Sequence, residues 1–131
     1  MDKGLFPIEL DAVVLECGNI AALADFYIRL LGWKRNYEEP GEWIDIVSPS
    51  GGSKIAFQQN DSYRPPVWPD EPGKQQQMAH LDFAVKSPAQ MKEAVRHALA
   101  CGAAVASAQH GGDEWTTLLD PAGHPFCFVI W

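Results

Sequence analysis

EWIDIVSPSGG, residues 42–52, returns as EWTTLLDPAGH, residues 114–124, an offset of 72 positions between Glu42 and Glu114. A Glu-Trp pair, a β-type run and a Ser/Asp-Pro-x-Gly turn recur in the same order. Each copy then closes with a short apolar segment, KIAFQQ (54–59) after the first and PFCFVIW (125–131) after the second. A match of this length reads as two copies of one supersecondary unit. Two copies that face each other tend to enclose something.

Working outward from the block, each half gives the same series of elements. LDAVVLEC (10–17) is a β-branched run. Asn19 is a candidate N-cap for IAALADFYIRLL, whose Ile20, Leu23, Phe26, Tyr27, Leu30 and Leu31 recur at three- and four-residue spacing, and Gly32 is its stop. Strands follow around WKRNY, EWIDIV and KIAFQQ. In the second half HLDFAV (80–85) is the first strand, Ser87-Pro88 opens a helix through MKEAVRHALAC, and Gly102 ends it. Strands near AAVASA, EWTTLL and PFCFVIW complete the series. The order is β-α-β-β-β twice. Between the halves lies the Pro-rich, polar NDSYRPPVWPDEPGKQQQ (60–77), a linker. Its Trp68 either folds back over a pocket as a lid or pins the linker to the outer surface.

Composition narrows the function. The chain has 131 residues, 47% of them hydrophobic, enough for one compact core. A net charge of −7 opposes nucleic acid and anionic membrane surfaces, which need basic patches. No apolar stretch is long enough to span a bilayer. Without a basic segment and apolar run at the N-terminus, a cytoplasmic location is the expectation. Cys17, Cys101 and Cys127 are odd in number and lack CxxC spacing, so they read as free thiols. His97 falls on a helix face turned to solvent, and His110 and His124 fall in or beside turns. Nucleophile-elbow, phosphate-loop and HExxH patterns are absent from the sequence.

Two motifs carry a family resemblance. Phe26-Tyr27-Ile28-Arg29-Leu30-Leu31-Gly32 matches an FYxxLLG helix ending, and Asp120 to Phe126 matches a DPxGxPF turn. With the tandem modules, they make the chain resemble the vicinal oxygen chelate superfamily, in its glyoxalase-like, bleomycin-resistance-like branch, from about Leu10 to Trp131. The resemblance implies an α+β fold, with two tandem β-α-β-β-β modules forming a curved mixed sheet around a central cup. Module one spans about 8–60, the linker about 61–77 and module two about 78–131, all one glyoxalase-like domain. It also implies a homodimer, since such a sheet leaves open edges that need covering. The family's enzymes hold a divalent ion with a His on each module's first strand and a Glu on its last. Those positions fall here on Ala12, Ala56, His80 and Cys127, so one of four keeps the family residue. Alanine has no lone pair to offer, and the expectation is that the family's metal site, and any cofactor, is missing. Glu16, Asp45 or Asp82 are the neighbours that would substitute in a relocated site.

Strand alternation assigns the faces. Val13, Leu15, Ile44, Ile46, Ile55, Phe57, Leu81, Phe83, Val85, Phe126 and Phe128 point to the core. Ala12, Val14, Glu16, Trp43, Asp45, Ala56, Gln58, His80, Asp82, Trp115, Thr117 and Cys127 point into the cup, with Ala84 and Val129, and Trp68 is added from the linker. Trp faces, carboxylates and small residues suit an aromatic or cationic organic molecule. The leading expectation is a small-molecule-binding protein of the bleomycin-resistance-like type. Its alternatives are a metal-dependent lyase, isomerase or dioxygenase of the same superfamily and a partner-binding module. Both Trp of the repeat also read as plain core residues, His80 as a half-buried polar residue, and Cys127 as a nucleophile beside His80.

Overall fold

The computed structural model describes residues 6–130, leaving Trp131, the last letter of the final apolar segment, outside the described residues. The first module contains β1 (Ala12–Cys17), α1 (Ile20–Leu31), β2 (Lys34–Glu39), β3 (Trp43–Val47) and β4 (Lys54–Gln59). The second contains β5 (Leu81–Val85), α2 (Pro88–Cys101), β6 (Ala104–Val105), β7 (Trp115–Leu119) and β8 (Pro125–Ile130). Each module makes one four-stranded mixed sheet, in the orders β1-β4-β3-β2 and β5-β8-β7-β6. The first strand of each sheet runs parallel to the last, and the other pairs are antiparallel. The tandem α+β arrangement is therefore present as the repeat implied. The sequence overstates one element: AAVASA supplies only the two-residue β6.

Local chemistry sets the helix limits. Asn19 accepts from the Ala22 N–H and Ser87 from the Gln90 N–H, both at 3.1 Å, satisfying donors the first turns leave free. Gly32 closes α1 at φ 68°, a left-handed conformation in which a Cβ would be strained. Ile20, Leu23, Phe26, Tyr27 and Leu30 form the buried stripe of α1. The repeat also survives as backbone bonding: Gln59 N–H donates to the Glu42 carbonyl at 2.9 Å, and Ile130 N–H donates to the Glu114 carbonyl at 3.0 Å.

Both modules share one core. Phe26 and Tyr27 of α1 meet edge-on at 4.8 Å, and Tyr27 stacks on Phe57 of β4 at 5.7 Å. The same two rings reach Phe126 of β8 at 6.0 and 6.3 Å, and Tyr27 reaches Phe83 of β5 at 6.5 Å. At the centre, the Tyr27 hydroxyl donates to Asp120 Oδ2 at 2.8 Å. The Asp120 side chain is wholly buried, and its other partners are the backbone N–H groups of Ala122 and His124 and the His124 ring. His124 Nε2 crosses back to the Glu16 carbonyl at 2.9 Å and lies 3.3 Å from the Tyr63 hydroxyl. A solvent-facing His97 is half the description: its side chain is exposed, yet Nε2 reaches the Arg29 and Leu30 carbonyls at the end of α1. Arg29 returns the contact, donating to the Cys101 carbonyl at the end of α2 at 3.0 Å.

Burial, reinforced by the Asp120 charge and hydrogen bond, raises the Tyr27 phenol well above its ordinary range, and burial followed by the Asp120 charge raises Tyr63. A raised phenol gives stability that is complete below the unfolded value of about 10 and is lost as pH climbs beyond it. Tyr27→Phe is expected to cost about 1–3 kcal/mol at neutral pH, because it removes one donor from a buried carboxylate. The same variant should lose less stability than wild type between pH 9 and 11, since it has no phenol to ionise, as denaturant titrations at each pH will show.

Candidate functional site

The inward residues fall in separate places rather than on one wall. Along the first module, Tyr37, Glu39, Glu42, Trp43 and Gln58 border an open hollow of about 660 Å³. Beneath it Asp45 is buried, accepting from the Trp43 indole N–H at 3.0 Å and from the Asn36 amide at 2.9 Å. Ala56 is completely buried and lines nothing. Neither Asp45 nor Ala56 borders that hollow: the Asp45 carboxylate is held by Trp43 and Asn36, and Ala56 is enclosed by packing. Val14 and Glu16 lie with Tyr63 and His124 along the junction of the modules, and Ala12 stands at the start of β1, half-buried.

The second module gathers the rest. A cavity of about 380 Å³ is lined by Trp68, Gln77, His80, Asp82, His110, Trp115, Thr117 and Cys127, with Pro125 and Val129. It is smaller than the first hollow but more enclosed, and it collects most of the chemistry-bearing side chains. Strand register explains the grouping. Asp82 on β5 and Thr117 on β7 both pair with Cys127 on β8, and His80 precedes Asp82 by two residues, which puts it on the same face. His80 Nε2 lies 3.1 Å from Asp82 Oδ1, and the donor atoms of His80, Asp82 and Cys127 all lie within 4.8 Å of one another. The Thr117 hydroxyl is 3.3 Å from Cys127 Sγ.

Trp68 borders the cavity from the linker side. Its indole N–H donates to the Ala108 carbonyl at 3.1 Å, and its ring meets His110 edge-on at 5.9 Å. Trp68 thus borders the cavity and is also hydrogen-bonded to the loop before β7. Trp115 forms another wall and is half-buried. Gly111 packs so tightly on Trp115 that a Cβ would overlap the indole and the Trp115 carbonyl. Gln77 Oε1 is, among the described residues, a buried side-chain oxygen with no partner, and it borders the same space. His110 and Gln77 are cavity residues that the sequence does not single out. Both reach the site through irregular loops, which have no periodicity to reveal their direction.

The surroundings of Cys127 favour the neutral thiol. Burial pushes the thiol upward, a nearby Asp82 carboxylate adds to the rise, and the Thr117 hydrogen bond offsets only part of it. The family's four-donor metal set does not fit. Ala12 and Ala56 bring no donor atom, and Ala56 is sealed from any ion by its burial.

The glyoxalase-like domain model matches residues 12–129. The chain belongs to the glyoxalase-like domain family. It is thereby a member of the vicinal oxygen chelate superfamily. Its fold is similar to that of a glyoxalase/bleomycin resistance protein/dioxygenase family enzyme from Burkholderia phytofirmans PsJN, with a TM-score of 0.71 at 19% identity over 92% of this chain and 97% of that one. A glyoxalase/bleomycin resistance protein from Albidiferax ferrireducens T118 gives a TM-score of 0.65 at 18% identity, covering 93% and 98%. A lactoylglutathione lyase from Agrobacterium tumefaciens gives 0.64 at 18%, covering 95% and 94%. At these identities the likeness is one of fold. No curated protein matches the sequence.

Trp115 depends on the missing side chain at Gly111. Gly111→Ala is expected to displace the indole and cost about 1–3 kcal/mol of stability through overpacking. A changed tryptophan emission spectrum together with a lowered melting temperature would record both effects.

Proposed function

We propose that this glyoxalase-like protein captures a small planar organic molecule, aromatic or cationic, in the cavity of its second module. The observation that carries the reading is the pair of indoles, Trp68 and Trp115, around one half-open cavity of about 380 Å³, a size that suits a small ligand. Flat apolar faces favour a ring or an alkylated cation, and His110 adds a third aromatic surface. The free Gln77 Oε1 favours a ligand that brings an N–H or O–H group.

The first module serves as an internal control. Its hollow has the repeat mate Trp43, but that indole is tied to Asp45 and the space beside it is open. A second reading, a lyase, isomerase or dioxygenase with relocated ligands, is favoured by one observation, the convergence of His80, Asp82 and Cys127.

Calorimetric and thermal-shift screens of aromatic amines, quaternary ammonium compounds and planar antibiotics test capture directly. Trp115→Ala is expected to weaken a ligand by about 1–3 kcal/mol with the free protein still folded. A stability loss of about 3–5 kcal/mol without ligand would instead mark Trp115 as core.

The same reading includes a homodimer. Strand β2 is exposed along its whole length, and Val105 on β6 is exposed as well, so both sheets end in uncovered edges. Light scattering at micromolar concentration should return a mass near twice 14.5 kDa. A mass near 14.5 kDa itself would reject the dimer.

A further inference from the structure

We infer that β2 is the interface of the homodimer: two copies of the strand pair antiparallel across a two-fold axis and join two first-module sheets edge to edge. The inference rests on the homodimer reading above and names the surface that it uses.

The edges of the two sheets are unequal. At the outer end of the second sheet β6 offers only two residues, Ala104 and Val105. At the outer end of the first, β2 runs for six residues, Lys34–Glu39, and every one is exposed. The remaining edge strands, β1 and β5, line one cleft between the modules. A long open edge presents a row of free N–H and C=O groups that another strand can fill.

The residues of β2 select a second copy of the same strand. KRNYEE (34–39) is basic at one end and acidic at the other. Antiparallel pairing centred between Asn36 and Tyr37 sets Lys34 opposite the partner's Glu39 and Arg35 opposite the partner's Glu38. In a regular strand this register fails, because Lys34 and Glu39 would point to opposite faces. A bulge removes the obstacle. Lys34 and Glu39 lie opposite Val47 and Trp43, so five steps along β2 match four along β3. Arg35 and Glu38 lie opposite Ile46 and Ile44 in the same way. The register shift between Arg35 and Tyr37 thereby turns Lys34 and Glu39 to one face and Arg35 and Glu38 to the other. Asn36 stands at the shift, and its amide donates to the buried Asp45 at 2.9 Å.

The side chains are left available for the pairing. Among the described residues, Lys34 and Glu39 have no ion-pair partner. Arg35 meets Glu38 at 2.8 Å within the strand, and across the axis the two pairs merge into one four-charge cluster. Tyr37, 55% exposed, lies next to the axis, where the rings of the two copies come within reach of each other. The pairing also adds to the first hollow. Tyr37 and Glu39 border that space, so the partner's Lys34 stands at its rim.

Sedimentation equilibrium of the full chain tests the interface, with circular dichroism to establish that each variant is folded. Lys34→Glu places like charges opposite each other at two symmetric points, as does Glu39→Lys, and each should weaken self-association about tenfold. An equimolar mixture of the two variants restores opposite charges at both points and should recover the wild-type dimer strength. Lys92→Glu, an exposed change on α2 with the same effect on net charge, should leave the dimer intact. A dimer that survives both β2 variants, or a mixture that stays monomeric, overturns the inference while the homodimer stands. A wild-type chain that is monomeric throughout removes the homodimer and the interface together.

Discussion

The two halves of this protein are held together by a buried carboxylate. Asp120 sits in the turn of the second repeat, and a hydroxyl from the first module's helix, Tyr27, reaches it at 2.8 Å. A carboxylate stripped of water costs several kcal/mol unless its lone pairs are filled. Here two backbone N–H groups, a phenol and an imidazole fill them. Because the phenol belongs to the other module, the carboxylate is satisfied only when the modules dock in one relation. His124 then ties the turn to β1 through the Glu16 carbonyl. The docking sets where β5 and the linker run, and thereby which side chains reach the second cavity.

The large aromatic rings around that bond supply adhesion without much direction. Phe26, Tyr27, Phe57, Phe83 and Phe126 form a continuous cluster across the junction. Apolar contact of this kind tolerates small slides, whereas a hydrogen-bonded carboxylate does not. The FYxxLLG and DPxGxPF motifs can be understood in these terms. Tyr27 and Asp120 are the two ends of the joining bond, and Gly32 gives the left-handed exit from the helix. The motifs that carried the family resemblance therefore also carry the assembly of the two halves.

Most of the fold was legible because its signals are local and repeated. Helix caps at Asn19 and Ser87, glycine stops at Gly32 and Gly102, and alternation on β3, β4, β7 and β8 each depend on a few neighbouring residues. The short β6 was overstated because an Ala- and Val-rich run says little about how long pairing persists. The site was legible in part. Alternation turned His80, Asp82, Thr117 and Cys127 to one face, and the repeat set Trp115 beside them. The convergence of three donors depends on the parallel register of β5 and β8, strands separated in sequence by a helix and two further strands. Gln77 and His110 arrive through loops, and the inter-module role of His124 required knowing that its turn faces β1. Asp45 and Ala56 show that facing inward is not the same as being exposed: the first is hydrogen-bonded to Trp43 and Asn36, and the second is enclosed by packing.

Duplication leaves two equivalent floors, and the protein has treated them differently. In the first, small and apolar residues fill the positions between β1 and β4, and an aspartate is used up beneath a tryptophan. In the second, the matching positions hold a nitrogen, an oxygen and a sulfur, and a linker indole is brought over them. A scaffold assembled from repeats can allow this because the shared aromatic core and the Asp120 junction hold the modules together without using His80, Asp82 or Cys127. Residues on the concave face are then free to change with little effect on folding. The asymmetry between the two copies is a record of that freedom, and it explains why membership in a family of known fold leaves the chemistry to be read from the few positions where the halves disagree.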